Sequence, residues 1–172
     1  MGILSKKKII EEMDRNNIII SPPQNNQQIE RDGVLIHMSN ELRVFRKARQ
    51  VIKITEDTHP DAVTESVIVP EGDFFLLTPG ETVTAFSQEK ITLCGSMCAW
   101  LLGRGRFTRM GLLVEVASGF IHPGIKDKTL FFQITNASGL MVALYPGVAI
   151  CQLVFQPMEG EDTYEGTFKN IT

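Results

Sequence analysis

Three arginines fall within six residues of the segment Leu101-Leu-Gly-Arg-Gly-Arg-Phe-Thr-Arg-Met-Gly-Leu112: Arg104, Arg106 and Arg109. Gly103, Gly105 and Gly111 are interleaved with them and let the backbone turn its N–H groups toward a ligand. Guanidinium forks beside free backbone N–H groups are what a di- or triphosphate requires. The same residues also suit an exposed arginine turn, or one that makes salt bridges between subunits. On residue types alone the two readings stand level.

Other patterns carry less. Gly103-Arg104-Gly105-Arg106-Phe107 opens like a dinucleotide fingerprint, but its third glycine and a βαβ setting are missing. There is no Walker-type loop. Cys94 and Cys98 lack a second ligand pair, because His37, His59 and His122 stand on separate segments. A tetrahedral zinc site needs four converging ligands, so these cysteines read as packing residues and no metal ligand is assigned. Mg²⁺ enters only as the companion of a nucleoside triphosphate.

The elements that must position the arginines are mostly strands. Ser5 is placed to cap one short N-terminal helix, in which Ile9, Ile10 and Met13 form an apolar stripe and Asn16-Asn17 makes the stop. Ile18–Ile20 then reads as a short buried strand, and 21–28 as a polar, proline-containing loop. β-rich runs follow at Val34–Met38, Leu42–Phe45, Val51–Ile54, Val67–Val69, Phe74–Leu77, Thr82–Phe86 and Ile91–Leu93. They continue at Leu112–Ala117, Leu130–Thr135, Met141–Tyr145 and Ile150–Phe155, with Pro-Gly turns at 79–80, 123–124 and 146–147. Many short strands punctuated by turns predict an all-β sandwich or jelly-roll barrel.

The 172 residues, 43% hydrophobic and 22% charged, fit one soluble globular domain over 1–172, with a loose acidic tail from about Glu159. A net charge of −3 offers no broad basic face, so nucleic acid is not an expected partner. Cys94, Cys98 and Cys151 are an odd number, which suits reduced thiols in a cytoplasmic protein. No apolar run approaches the roughly 20 residues of a membrane span.

Gly103-Arg104-Gly105-Arg106-Phe107-Thr108-Arg109-Met110-Gly111 resembles the Gly-Arg-Ser-Ser-x-x-Arg-x-Gly segment of the dCTP deaminase/dUTPase superfamily. Further matches run in order along the chain. Ile3-Leu4-Ser5 and Ile18–Ile20 resemble the family's start, and Pro79-Gly80-Glu81 and Glu89 the stretch before the arginine motif. Gly119-Phe-Ile-His-Pro-Gly124 is similar to Gly-x-Ile-Asp-Pro-Gly, and Phe132-Gln-Ile-Thr-Asn136 to Leu-Glu-Leu-Thr-Asn. Pro146–Phe155 resembles the last barrel strand. The resemblance implies a distorted jelly-roll, a homotrimer with nucleotide sites between subunits, and a dCTP- or dUTP-like ligand. It places Arg104, Gly105, Arg106 and Arg109 at the phosphates.

The chain departs from the family at each chemical position. Gly105 and Arg106 replace two serines, His122 stands at the aspartate, and Gln133 at the deaminating glutamate when the strand is anchored on Asn136. An extra residue near Asp127 leaves Phe132 as the other choice, and neither is a carboxylate. From Lys128 to Met158 there is no Asp or Glu. Hydrolytic deamination needs a group that takes a proton from water and returns it, worth roughly 10²–10⁴-fold. Glutamine has no proton to cycle between water and base; histidine is a common general base, so His122 is a candidate, and Glu115 and Asp127 lie in nearby segments. The leading expectation is a nucleotide-binding protein with impaired or absent catalysis, serving sensing, regulation or sequestration. The alternatives are an active divergent dCTP deaminase or dUTP diphosphatase using His122, Glu115 or Asp127, and a structural trimer held by its arginines.

Overall fold

Apolar and polar residues alternate along the strands, and that alternation decides which face of each strand is buried. The computed structural model describes residues 2–23, 25, 27–46, 51–55, 58–115 and 119–163, Glu115 by its backbone alone. Helix α1 (Lys6–Asp14) is followed by β1 (Ile18–Ser21), β2 (Val34–Phe45), a 3-10 turn at Pro60–Ala62, β3 (Thr64–Ile68), β4 (Phe75–Leu77) and β5 (Thr82–Leu93). Then come β6 (Met97–Gly103), the single turn α2 (Gly105–Thr108), β7 (Leu112–Glu115), β8 (Phe120–Ile121), β9 (Lys128–Asn136), β10 (Val142–Leu144) and β11 (Ala149–Pro157).

The main sheet runs β7-β9-β5-β2-β11-β6-β8, with β1 paired to β5 and β3 to β2, and β10-β4 forms a separate ribbon. Among the described residues every strand pairing is antiparallel. The sheet curls until the end of β6 meets β7, where a Cβ on Gly103 would lie 2.7 Å from the Val114 carbonyl oxygen. This is the expected all-β, distorted jelly-roll. Ile36, Met38, Leu42, Leu77, Phe132 and Phe155 lie in its core.

The expected helix forms with Ile9 fully buried and Ile10 and Met13 packed against the core. Asn16 ends it in the left-handed region, with φ of 59°. Ser5 occupies the N-cap, yet its hydroxyl makes no capping bond.

Several strand boundaries differ from expectation. Val34–Met38 and Leu42–Phe45 are one strand, because β2 absorbs its irregularity as a register shift against β5 between Met38 and Leu42. Thr82–Phe86 and Ile91–Leu93 likewise merge across a shift against β9 between Phe86 and Lys90. The bulged residues Ser87 and Glu89 are buried, and the Ser87 hydroxyl accepts from Leu130 N (2.9 Å) while donating to Glu89 O (2.6 Å). Residues 51–55 form no strand, and Val51 and Ile54 are exposed. Residues 116–118 of the expected Leu112–Ala117 run lie outside the described residues.

Of the tail from Glu159, residues 159–163 are described and 164–172 lie outside the described residues. Asp162 N donates to Gly95 O (2.9 Å), and a Cβ on Gly124 would meet Thr163 at 2.8 Å. Among the described residues no helix is long and apolar enough to cross a membrane.

Candidate functional site

The arginine turn is fastened at both ends. At its start, Arg104 N donates to Ile150 O (3.2 Å), Arg104 Nη1 to Ala149 O (3.1 Å) and Nη2 to Glu30 Oε1 (3.3 Å). Phe107 is buried beneath the single turn of α2. At its end Gly111, with φ of 79°, closes the turn, and its carbonyl accepts from Ala137 N (2.8 Å). A Cβ on Gly111 would sit 2.7 Å from the Ser138 Cβ, so the close approach as well as the backbone conformation requires glycine.

Arg106 and Arg109 remain exposed, and neither forms an ion pair among the described residues. The Arg106 guanidinium stacks over its neighbour Phe107, 5.3 Å from the ring centroid. A Cβ on Gly105 meets nothing within 4 Å, so the turn is open beside the arginines. Sequence reasoning grouped all three arginines. The structure separates Arg104, tied inward, from two that face solvent. Glu30 was missed, since a partner 74 residues away leaves no local signal.

β7 leads directly from this turn to the strand that carries Gln133. Leu112 is the register partner of Asn136, and Glu115 of Gln133. Three residues of strand put the end of the arginine turn roughly 10 Å from Gln133 along the ladder. Asn136 locks that end of β9: fully buried, it donates to Leu77 O (3.0 Å) and Leu140 O (2.7 Å) and accepts from the Ser138 hydroxyl (2.7 Å). Phe132 points into the core and is 1% exposed, so Gln133 lies on the opposite, outward face.

On that face Gln133 is half-buried between Glu115 on β7 and Thr84 on β5, and the row continues to Arg43 on β2 and Ser66 on β3. The Gln133 amide has no hydrogen-bond partner among the described residues. Two residues along the same face, Phe131 is an exposed aromatic ring. The surface therefore joins a neutral donor–acceptor group to an apolar plate, which suits a flat heteroaromatic base.

His122 follows β8, whose pairing is with β6 through Ala99–Ile121 and Trp100–Phe120. It is exposed and stands perpendicular to the Phe120 ring, centroids 5.0 Å apart, and Phe120 packs in turn on Trp100 at 5.0 Å. Asp127 sits at the far end of β9, six residues or roughly 20 Å of strand from Gln133. It is exposed, has φ of 50°, and pairs with Lys90 at 3.3 Å. Asp127 is thus engaged with Lys90 at a distance from Gln133.

The buried ionisable groups serve the scaffold. Glu89, 2% exposed, accepts from His37 N (3.0 Å) and lies 2.5 Å from His37 Nδ1, holding β5 to β2 beside the bulges. Burial raises the Cys98 thiol and pushes Cys151 up to about 12, so both stay protonated. Among the described residues no three His, Cys, Asp or Glu side chains converge on a metal position. A Mg²⁺ chelated by ligand phosphates requires no such group.

A curled antiparallel jelly-roll of this strand order is a dUTPase-like fold. Residues 3–158 match the family described as dCTP deaminase-like, and the chain belongs to that family. A relative from Methanobrevibacter smithii, "dCTP deaminase, dUMP-forming", is 35% identical over 159 residues, covering 92% of this chain and 81% of the relative. An Actinobacillus pleuropneumoniae dCTP deaminase is 33% identical over 156 residues, covering 86% and 79%. Among solved structures, the 2'-deoxycytidine 5'-triphosphate deaminase of Agrobacterium tumefaciens aligns with a TM-score of 0.68 at 15% identity. That alignment spans 90% of this chain but 48% of the other. The dUTPase of Staphylococcus bacteriophage 80alpha with dUPNHPP aligns at 0.51 and 13% identity, covering 88% and 89%. The structural likenesses concern the fold alone.

Proposed function

We propose that the protein binds a pyrimidine deoxynucleotide, dCTP- or dUTP-like, and that its proton-transfer chemistry at the base is impaired or lost. The carrying observation is the placement of two exposed arginines at the head of a ladder that presents a neutral amide, Gln133. Arg106 and Arg109, with the backbone N–H groups of the turn, hold the phosphates. Gln133 offers one donor and one acceptor to the base edge or to a water, and Phe131 its apolar plate. At this position a glutamate would cycle a proton between water and base; an amide holds the water without taking its proton. Such a protein serves sensing, regulation or sequestration of deoxynucleotides. Resemblance to the family favours a homotrimer with sites between subunits, in which the exposed Phe131 and Leu113 would find neighbours.

Isothermal titration with dCTP, dUTP and dTTP tests this reading. Saturable binding of at least one supports it, and binding of none removes it. Light scattering that gives three protomers per particle supports the trimer, and a monomer excludes sites shared between subunits.

A second reading has one specific observation behind it: Glu115 is the cross-strand partner of Gln133. A carboxylate supplied from β7 in place of β9 would make the protein an active, divergent dCTP deaminase or dUTP diphosphatase. Release of ammonia or pyrophosphate from dCTP or dUTP with Mg²⁺, abolished by Glu115→Gln, would establish it.

A further inference from the structure

Arg104 differs from Arg106 and Arg109 in every contact it makes. Its main-chain N–H and Nη1 take the carbonyls of Ile150 and Ala149, where β11 slips register against β2 between Ala149 and Cys151. Arg104 N extends the β6–β11 ladder by one bond, and its Nη1 reaches the preceding carbonyl, so a single residue holds two successive carbonyls at the irregularity. Its second amino group meets Glu30.

Glu30 is itself held in place. Its N–H donates to Gly33 O (2.8 Å), and a Cβ on Gly33 would lie 2.6 Å from Leu153 O, so this segment is pressed onto β11. From α1, Lys6 N donates to Arg31 O (2.8 Å) and Lys6 Nζ to Ile29 O (2.7 Å). The carboxylate therefore arrives at Arg104 from a fixed backbone.

We infer that Glu30 is a positioning residue: it clamps Arg104 onto the β11 bulge, which sets where α2 begins and aims Arg106 and Arg109 at the phosphates. Arg104 is then the hinge pin of the site and makes no phosphate contact. The planar guanidinium bridges two acceptors at once, which a lysine ammonium on the same stem does poorly. The inference rests on the reading of the turn as a phosphate site.

The test is titration calorimetry with inorganic triphosphate on the wild type, Glu30→Gln, Arg104→Lys and the double variant, beside thermal melts. Each single change is expected to weaken binding about fivefold, and the double change no further, because both break one clamp. The melting midpoint of Glu30→Gln, an isosteric change at a partly exposed side chain, is expected to stay within about 2 °C of wild type. Tighter binding by Glu30→Gln overturns the inference, since Glu30 would then compete with the ligand for Arg104. Additive losses in the double variant overturn it too, because Arg104 would touch phosphate independently. Unchanged affinity in Glu30→Gln has the same result. If the wild type binds no triphosphate, the phosphate reading fails and this inference with it. Should Arg104→Lys not fold, the direction of the Glu30→Gln change decides.

Discussion

Glu115 and Gln133 stand opposite one another in the β7–β9 ladder, and Thr84 flanks Gln133 from β5. Opposite residues of an antiparallel pair lie about 4.5–5.5 Å apart at Cα. The neutral Gln133 therefore has an acid as its backbone neighbour. On the proposed reading, substitution at Gln133 tests whether a proton can be cycled at the base.

Gln133→Glu restores an ionisable group between Thr84 and Glu115. Ammonia release from dCTP is expected to rise roughly 10²-fold or more over wild type. No gain would show that more than this one position separates the protein from deamination.

The arginine turn makes a graded prediction. Arg106→Ala and Arg109→Ala should each weaken triphosphate binding by roughly tenfold, a loss of about 1.4 kcal/mol. Both residues are exposed, so the urea midpoint should hardly move. Gly105→Ser, whose Cβ would enter open space, adds a hydroxyl beside the phosphates and should tighten binding several-fold. If Arg106→Ser instead dissociates the assembly with ligand affinity intact, the arginines are interface residues.

Two glycines of the same turn should respond oppositely to alanine. Gly111→Ala forces a left-handed residue and brings its Cβ to 2.7 Å from Ser138, at a cost of about 2–3 kcal/mol in urea unfolding. Gly105→Ala should be neutral or slightly stabilising, since it lies in α2 with free space around it.

Burial of Cys151 ties stability to alkaline pH. The folded thiol is pushed up to about 12 from an ordinary 9.0. Between those values the unfolded thiol ionises and the folded one does not. Its contribution is thus complete below pH 9.0 and declines as pH rises toward about 12. Urea unfolding of Cys151→Ala should show a shallower alkaline decline than wild type, from a lower starting stability. At pH 8 iodoacetamide should label the half-buried Cys94 well before Cys98 or Cys151.

The strand content and the turns were legible because alternation and Pro-Gly pairs are local signals. β6 was not, because Met97–Gly103 is largely apolar and its outer residues Trp100 and Leu102 break no pattern. The merging of β2 and of β5 hinges on bulges whose polar residues, Ser87 and Glu89, find partners only across the sheet. Arg106, Arg109 and Gln133 are candidates by residue type and order alone. The inward pull on Arg104 leaves no such signal, since Glu30, Ala149 and Ile150 converge on it from two distant segments. The Glu115–Gln133 pairing was equally hidden, because strand register is a property of the folded sheet.

Proton NMR of dCTP mixed with the protein and Mg²⁺, followed over a day, reads binding and chemistry together. Broadened or shifted cytosine H5 and H6 resonances whose integrals stay constant, with no uracil signals emerging, are expected. Steady conversion to a uracil nucleotide would contradict the loss of proton transfer, and unperturbed dCTP resonances would contradict binding of this ligand.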